Sequence, residues 1–246
     1  ATSTNRRQAL LLCSLVFNLG VLAFFKYGNF FIAQIEGGAS LLGFSMQAEQ
    51  MDIVLPLGIS FYTFQTLSYS IDMYRRTRPP SESLVDFMLY VTFFPQLVAG
   101  PIVRSGEFLP QLKKAYRLKW ARMSYGATLI MLGLVKKVLI ADRIGAYVDQ
   151  IYGDPASAGF LAAWCATIGF AIQIYCDFSG YSDIAVGMAK MLGYDLPRNF
   201  RMPYLACGFS TFWGRWHITL SSWLRDYLYI PLGGNRRPPG RVGVNL

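Results

Sequence analysis

Three long apolar runs without a charged residue dominate the pattern of the chain. They cover residues 9–25, 53–70 and 158–175, and each approaches the roughly 20 residues that an α-helix needs to cross the hydrocarbon core of a bilayer. A soluble domain can bury one such run but hardly three. The pattern therefore predicts an all-α fold, a multi-pass integral membrane helical bundle, with residues 1–246 forming a single membrane-embedded domain.

The apolar segment 84–104 departs from a regular span in its second half. Pro95, Gln96, Gly100 and Pro101 lie there, and each proline removes a backbone donor that hydrocarbon cannot replace. We expect a broken or re-entrant element buried among other helices. A single span with a proline kink is the alternative.

A second departure is segment 125–141, which offers only eleven uncharged residues before Lys136 and Lys137. Because lysines within a span are costly unless they reach the interface or a polar interior, we expect a short interfacial helix. The alternative is that the two lysines contact an anion. The loop 142–157 is external only if this segment spans the membrane.

Composition supports a membrane class, because 53% of the residues are hydrophobic and only 15% are charged. The formal net charge of +9 is concentrated in connecting segments at Arg6 and Arg7, at 74–78 and at 113–122. Basic connections usually mark the cytoplasmic side, so the N-terminus is predicted inside and segment 34–52 outside. Nucleic-acid binding is excluded, since it calls for a basic face on a soluble module.

The single histidine, His217, lies on a predicted amphipathic helix. At 3.6 residues per turn, Ser221 falls on the same face, Trp216 extends that face, and Arg215 and Asp226 fall on the far side. A desolvated imidazole stays neutral and can accept a proton from a hydroxyl. The alternative is a structural histidine in an interfacial helix, with tryptophans and arginines at headgroup level.

Two further candidates, Asp177 and Asp183, follow the third apolar run. They and the neighbouring serines can cap a helix or place charge in its first turn. A carboxylate at the end of an uncharged run is costly without a partner, so Asp177 is alternatively expected to pair with an arginine or to orient His217. One histidine and scattered cysteines build no usual zinc site, so no metal is expected.

Three motifs, at 94–104, 175–204 and 212–236, strongly resemble the membrane-bound O-acyltransferase family. The likeness is greatest to its alginate O-acetyltransferase branch, with the D-alanyl transferases of teichoic acid modification more distant. The resemblance implies transfer of an acetyl group from a cytoplasmic thioester, acetyl-CoA or another acyl thioester, to a hydroxyl of an exported polysaccharide. No tightly bound cofactor is implied. His217 matches the first of two family active-site histidines, so it is expected to be the catalytic general base. The sequence does not identify the group that stabilises the oxyanion, and the candidates are Trp216, Ser221 and a backbone N–H of the 94–104 element.

The resemblance also implies a bacterial cell-membrane location and a set of partners. These are an acyl donor or acyl carrier on the cytoplasmic side, periplasmic or extracellular O-acetylation proteins, the polysaccharide acceptor and membrane lipids. Because the chain begins with Ala and ends before the second histidine, we expect an internal fragment, incomplete at both ends and without a residue that activity requires. Two alternatives are D-alanyl transfer to a cell-wall polymer and a transporter or flippase with Lys136, Lys137 and Asp177 along its pathway.

Overall fold

The fold is all-α over the part of the chain that can be described. The computed structural model describes residues 4–44, 51–114 and 119–234, and in these ranges it contains helices and no strands. The chain divides into two compact units, Ala1–Leu84 and Val85–Leu246. The predicted fold class is therefore confirmed, while the expectation of one domain stays a prediction.

The first unit contains two long helices, α1 (Thr4–Leu41) and α2 (Ile59–Arg75). The Ser14 and Ser70 hydroxyls, 2.7 Å apart, form one of the hydrogen bonds between them. Helix α1 is long and apolar enough to cross a membrane, as its sequence predicts. Helix α2 has 17 residues and is shifted along the chain from the predicted span 53–70, because it begins only after Pro56 and the left-handed Gly58, whose φ is 74°, and continues to Arg75. Among the described residues it is not one of the helices long and apolar enough to cross a membrane.

The second unit carries the remaining helices. They are α3 (Leu84–Thr92), a 3₁₀-helix (Phe94–Gln96), α4 (Ser105–Leu112), α5 (Trp120–Leu134), a π-helix (Val135–Ala141), α6 (Asp142–Gly153), α7 (Phe160–Met191), a 3₁₀-helix (Pro203–Leu205), α8 (Phe209–Trp213), α9 (Ile218–Leu224) and a π-helix (Arg225–Tyr229). Its apolar core comprises Tyr90, Phe93, Val103, Phe108, Val186, Ala189 and Leu196.

Helices α5 and α6 join through the π-helix into one helix of 34 residues, Trp120–Gly153. This helix and α7 are both long and apolar enough to cross a membrane, so the expectation of a short interfacial helix is wrong. The physical reason lies in α7, whose carboxylates neutralise the two lysines. Lys136 pairs with Asp183 and Lys137 with Asp177, each at 2.6 Å.

Helices α5 and α7 pack antiparallel through two pairs of glycines. A Cβ atom added to Gly133 would lie 2.5 Å from the Gly180 carbonyl oxygen, and one added to Gly126 would lie 2.7 Å from that of Gly187. Such distances are shorter than any real Cβ contact, so only glycine lets the two backbones approach this closely. The four glycines thereby bring the lysines of one helix to the aspartates of the other.

The 94–104 segment is broken, as predicted, and the alternative of a single kinked span is wrong. Helix α3 ends at Thr92, and after the 3₁₀-helix the chain is irregular until α4 begins at Ser105. The break is buried, and local hydrogen bonds satisfy part of its backbone. The Tyr90 hydroxyl donates to the Val103 carbonyl at 2.9 Å. The Gln96 side-chain amide donates to the Tyr90 carbonyl at 3.1 Å. Irregular backbone at membrane depth requires such burial in protein.

The two ends of the α5/α7 pair differ in charge. At the end where α5 begins and α7 finishes, Arg122 and Lys190 both pair with Asp195, and Lys119 and Lys113 lie on the segment that precedes α5. The opposite end holds the short connection between α6 and α7, with Asp154. The first end is therefore the one that the positive-inside rule assigns to the cytoplasm.

Candidate active site

His217 lies at a break between two short helices rather than within one long helix. Its backbone is left-handed, with φ 42° and ψ 52°, and it directly precedes α9. The Ile218 N–H donates to the Asn199 carbonyl at 2.9 Å, and the Arg201 N–H donates to the Arg215 carbonyl at 3.0 Å. The predicted continuous amphipathic helix is therefore wrong, because backbone bonds to residues 199–201 replace bonds that this helix would have made.

The imidazole of His217 is half-buried against α7. Its ring meets the Phe178 ring edge to face, with centroids 4.7 Å apart. The Nδ1 atom is buried and has no hydrogen-bond partner among the described residues. Burial lowers the pKa of His217 to about 4, because desolvation penalises the charged form. The side chain is therefore neutral at pH 7 and able to accept a proton.

The neighbouring Trp216 belongs to a cluster of aromatic rings. Its indole stacks on Phe212 with centroids 5.7 Å apart and meets Phe200 edge to face at 5.1 Å. Tyr175 and Tyr204 complete the cluster, at 6.3 and 6.1 Å from Trp216. The cluster makes an apolar wall beside the break that carries His217, and a role for Trp216 in stabilising an oxyanion stays a prediction.

A buried asparagine, Asn199, fixes the residues that follow His217. Its side-chain oxygen accepts a hydrogen bond of 2.6 Å from the Thr219 hydroxyl, and its amide nitrogen donates to the Ser182 hydroxyl at 3.4 Å. The Thr219 hydroxyl in turn accepts from the Ile102 N–H at 3.0 Å. One polar network thus joins α7, the broken segment and α9. Sequence reasoning missed Asn199, although it lies within the 175–204 motif.

Asp177 and Asp183 lie well inside α7, so their interpretation as capping residues is wrong. Both are paired with lysines of the 120–153 helix, as described above. The Lys137 ammonium also contacts Asp142 at 2.8 Å. The structure thus does not bring Asp177 to His217, because the lysine pair holds its carboxylate elsewhere. Any supporting role of the two aspartates in catalysis stays a prediction.

Ser221, Arg215 and Asp226, the remaining residues for which we expect a supporting role, form their hydrogen bonds with groups other than the imidazole. The Ser221 hydroxyl donates to the Trp216 carbonyl at 3.3 Å, and Arg215 donates to the Leu205 carbonyl at 3.4 Å. Asp226 accepts hydrogen bonds from the side chains of Arg104 and Arg225. This agrees with the sequence analysis, which placed Asp226 on the far side from His217. These contacts hold the local backbone, and their catalytic contribution stays a prediction.

The described residues contain no group of three His, Cys, Asp or Glu side chains that could hold a metal ion. They do contain a cavity of about 280 Å³ beside α9, with several charged side chains in its lining. Ile218 and Thr219, the two residues after His217, line it together with Ile102 of the broken segment, whereas His217 itself does not. The chemistry available to His217 is proton transfer at a neutral, half-buried imidazole.

Three helices of the described residues are long and apolar enough to cross a membrane, which is typical of a multi-pass membrane protein, and His217 lies desolvated at a helix break. The chain belongs to the membrane-bound O-acyltransferase family, whose model matches residues 77–241. This match includes the broken segment, α7 and His217. The predicted family and the predicted multi-pass membrane location are therefore confirmed.

Individual relatives are bacterial. The chain is 42% identical to a probable alginate O-acetylase AlgI of Pseudomonas aeruginosa over 99% of its own length and 46% of the relative's. It is 37% identical to a peptidoglycan O-acetyltransferase of Helicobacter pylori over 94% of its length and 48% of the relative's. A teichoic acid D-alanyltransferase of Bacillus subtilis is 31% identical over 71% of the chain and 45% of the relative. The chain spans about half the length of these curated relatives.

Proposed function

We propose that the whole protein transfers an acetyl group from an acyl thioester to a hydroxyl of an exported polysaccharide, with His217 as general base. Its membership of an acyltransferase family favours an enzyme over a transporter. The relatives named for O-acetylation are 37–43% identical to the chain, whereas those named for D-alanyl transfer are 28–31% identical. This difference favours acetyl over D-alanyl transfer.

The observation that carries the proposal is the neutral imidazole of His217. As the acceptor oxygen attacks the thioester carbonyl carbon, its proton passes to the imidazole, and the tetrahedral intermediate forms. The carbon–sulfur bond then breaks, and the departing thiolate takes the proton from the imidazolium. The ring returns to its neutral form, so no net charge remains on the protein.

The finer parts of the proposal concern the donor and the partners. Acetyl-CoA is the proposed donor, because the basic end of the α5/α7 pair suits an anionic cytoplasmic molecule. An acyl carrier would satisfy the same electrostatic condition. The proposed acceptor is an alginate-like polysaccharide, reached with the help of periplasmic or extracellular O-acetylation proteins.

The test is an acetyl-transfer assay with the whole protein in liposomes. Labelled acetyl-CoA is supplied with either unacetylated alginate or unacetylated peptidoglycan, and label in the polymer is measured. We expect incorporation into one of the two polymers. A labelled D-alanyl thioester is the parallel arm, and incorporation from it alone would contradict acetyl transfer.

The pH dependence of the same reaction reports on His217. Because the neutral imidazole is the active form and its pKa is lowered to about 4, kcat/KM should stay level on acidification and decline only near that pH. An ordinary histidine would lose activity below its usual value of 6.5. The measurement is the initial rate at a series of pH values, with recovery of activity at neutral pH as the control. An acidic limb centred near 6.5 would contradict a desolvated base.

A further inference from the structure

The cavity beside α9 is lined by more positive than negative side chains. Its charged lining residues are Arg104, Arg198, Arg225, Glu107 and Asp226. Three guanidiniums against two carboxylates leave one positive charge in excess. Since arginine side chains remain protonated in proteins, this excess is permanent, and the cavity favours an anion.

Asp226 holds two of these arginines in place. Arg104 and Arg225 each donate to its carboxylate at 2.7 Å, and the Arg104 guanidinium also lies 5.3 Å from the centre of the Tyr227 ring. Partial burial alone would raise the pKa of Asp226, but the hydrogen bonds from Arg225 and Arg104 lower it below its usual value. The carboxylate therefore stays ionised, and the two guanidiniums are oriented before any ligand arrives, which reduces the entropic cost of binding.

Arg198 is the guanidinium that remains available. Its Nη2 donates to the Tyr125 hydroxyl at 3.4 Å, a neutral partner. Within the part of the chain that the structure describes, no carboxylate pairs with Arg198. Glu107 lines the same cavity and opposes an anion, but it does not cancel the positive excess. Arg198 can therefore form charge-assisted hydrogen bonds to a ligand without giving up an ion pair.

The position of the cavity connects it to His217 and to the basic end. Thr219 lines the cavity and is bonded to Asn199, the residue that fixes the His217 break. Pro197 and Arg198 also line it and follow Asp195, which pairs with Arg122 and Lys190 at the end assigned to the cytoplasm. An anionic group that enters from the cytoplasm thus meets this cavity beside the histidine segment.

We propose that this cavity binds a phosphate-bearing group, either the phosphates of a coenzyme-A-type thioester donor or the headgroup of an anionic lipid. The first of these sources rests on the proposed function. Guanidiniums match phosphate oxygens in charge and geometry. A volume of about 280 Å³ is just below the range of about 300–1,000 Å³ for ligand pockets, which suits an anionic head rather than an entire donor.

The donor arm of the test compares two thioesters on the whole protein in neutral phosphatidylcholine nanodiscs. Acetyl-CoA carries phosphates and acetyl-pantetheine does not, so Arg198→Gln should raise the Kd for acetyl-CoA about tenfold while the Kd for acetyl-pantetheine changes little. Arg143→Gln is the matched control, because it removes the same charge from an exposed residue that does not line the cavity.

The lipid arm measures phosphatidylglycerol that remains bound after purification, by native mass spectrometry. If the ligand is a lipid, Arg198→Gln releases phosphatidylglycerol and leaves acetyl-CoA binding unchanged. If neither ligand responds to Arg198→Gln, the proposed site is wrong. Acetyl transfer by the unmodified protein is measured in parallel, so that absence of activity, which would refute the proposed function, is distinguished from absence of a phosphate site.

Discussion

Replacing His217 with asparagine is expected to abolish acetyl transfer by the whole protein, lowering kcat/KM about 100- to 10,000-fold. Asparagine removes the group that accepts the proton. It also tolerates the left-handed backbone that His217 adopts, with φ 42°, better than alanine does. The His217→Asn protein should therefore keep the helix break and lose only the base.

The measurement is label transferred to the polymer at several donor concentrations, together with the amount of protein in the membrane and its Tm. His217→Ala serves as the comparison, because it removes the same base but adds backbone strain at the left-handed position. We expect both variants to be inactive and His217→Asn to be the more stable of the two. Retained transfer by a stable His217→Asn protein would remove His217 from the mechanism.

Replacing Asn199 with alanine is expected to lower kcat about 5- to 150-fold, because unpaired buried polar groups cost about 1–3 kcal/mol each. The variant leaves the Thr219 hydroxyl without its 2.6 Å acceptor. Asn199 does not touch the imidazole, so it acts as a positioning residue. With the break loosened, water reaches His217, and the acidic limb of the pH–rate profile should move from about 4 toward 6.5.

The pH profile separates positioning from general stability. Ser182→Ala is the matched control, because it removes the weaker contact of the Asn199 amide, at 3.4 Å, and leaves Thr219 bonded. We expect it to retain most of the activity and an unshifted acidic limb. If Asn199→Ala lowers only the Tm, with kcat and the acidic limb unchanged, Asn199 has no role beyond folding.

Much of the fold could be predicted because the relevant signals are local. The charge-free runs 9–25 and 158–175 lie in helices long and apolar enough to cross a membrane, and Pro95 and Pro101 alone are enough to predict the break at 94–104. The 120–153 helix could not be predicted correctly, because Asp183 and Asp177, which pair with Lys136 and Lys137 in addition to the nearby Asp142, lie more than 35 residues away on α7. A prediction from one segment includes the free-energy cost of burying a lysine but not the partner that lies on another helix.

The features of the candidate site also divide into those that could be predicted from the sequence and those that could not. His217 is identifiable as the single histidine in an aromatic, apolar context. Its left-handed backbone is not identifiable, since residues 211–229 have a helical pattern and the break depends on backbone bonds to Asn199 and Arg201. Pairing of Asp226 with Arg104 also joins residues far apart in the chain. Contacts of this kind are set by tertiary packing rather than by periodicity.

The ion pairs between the 120–153 helix and α7 bear on how the protein reaches the bilayer. Lys136 and Lys137 lie halfway along one helix, and Asp177 and Asp183 lie near the middle or in the second half of the other. If either helix left the translocation machinery alone, its charged side chains would enter the hydrocarbon core without their partners. We therefore expect the two helices to enter the lipid together as a preassembled hairpin, with biogenesis of each dependent on the other.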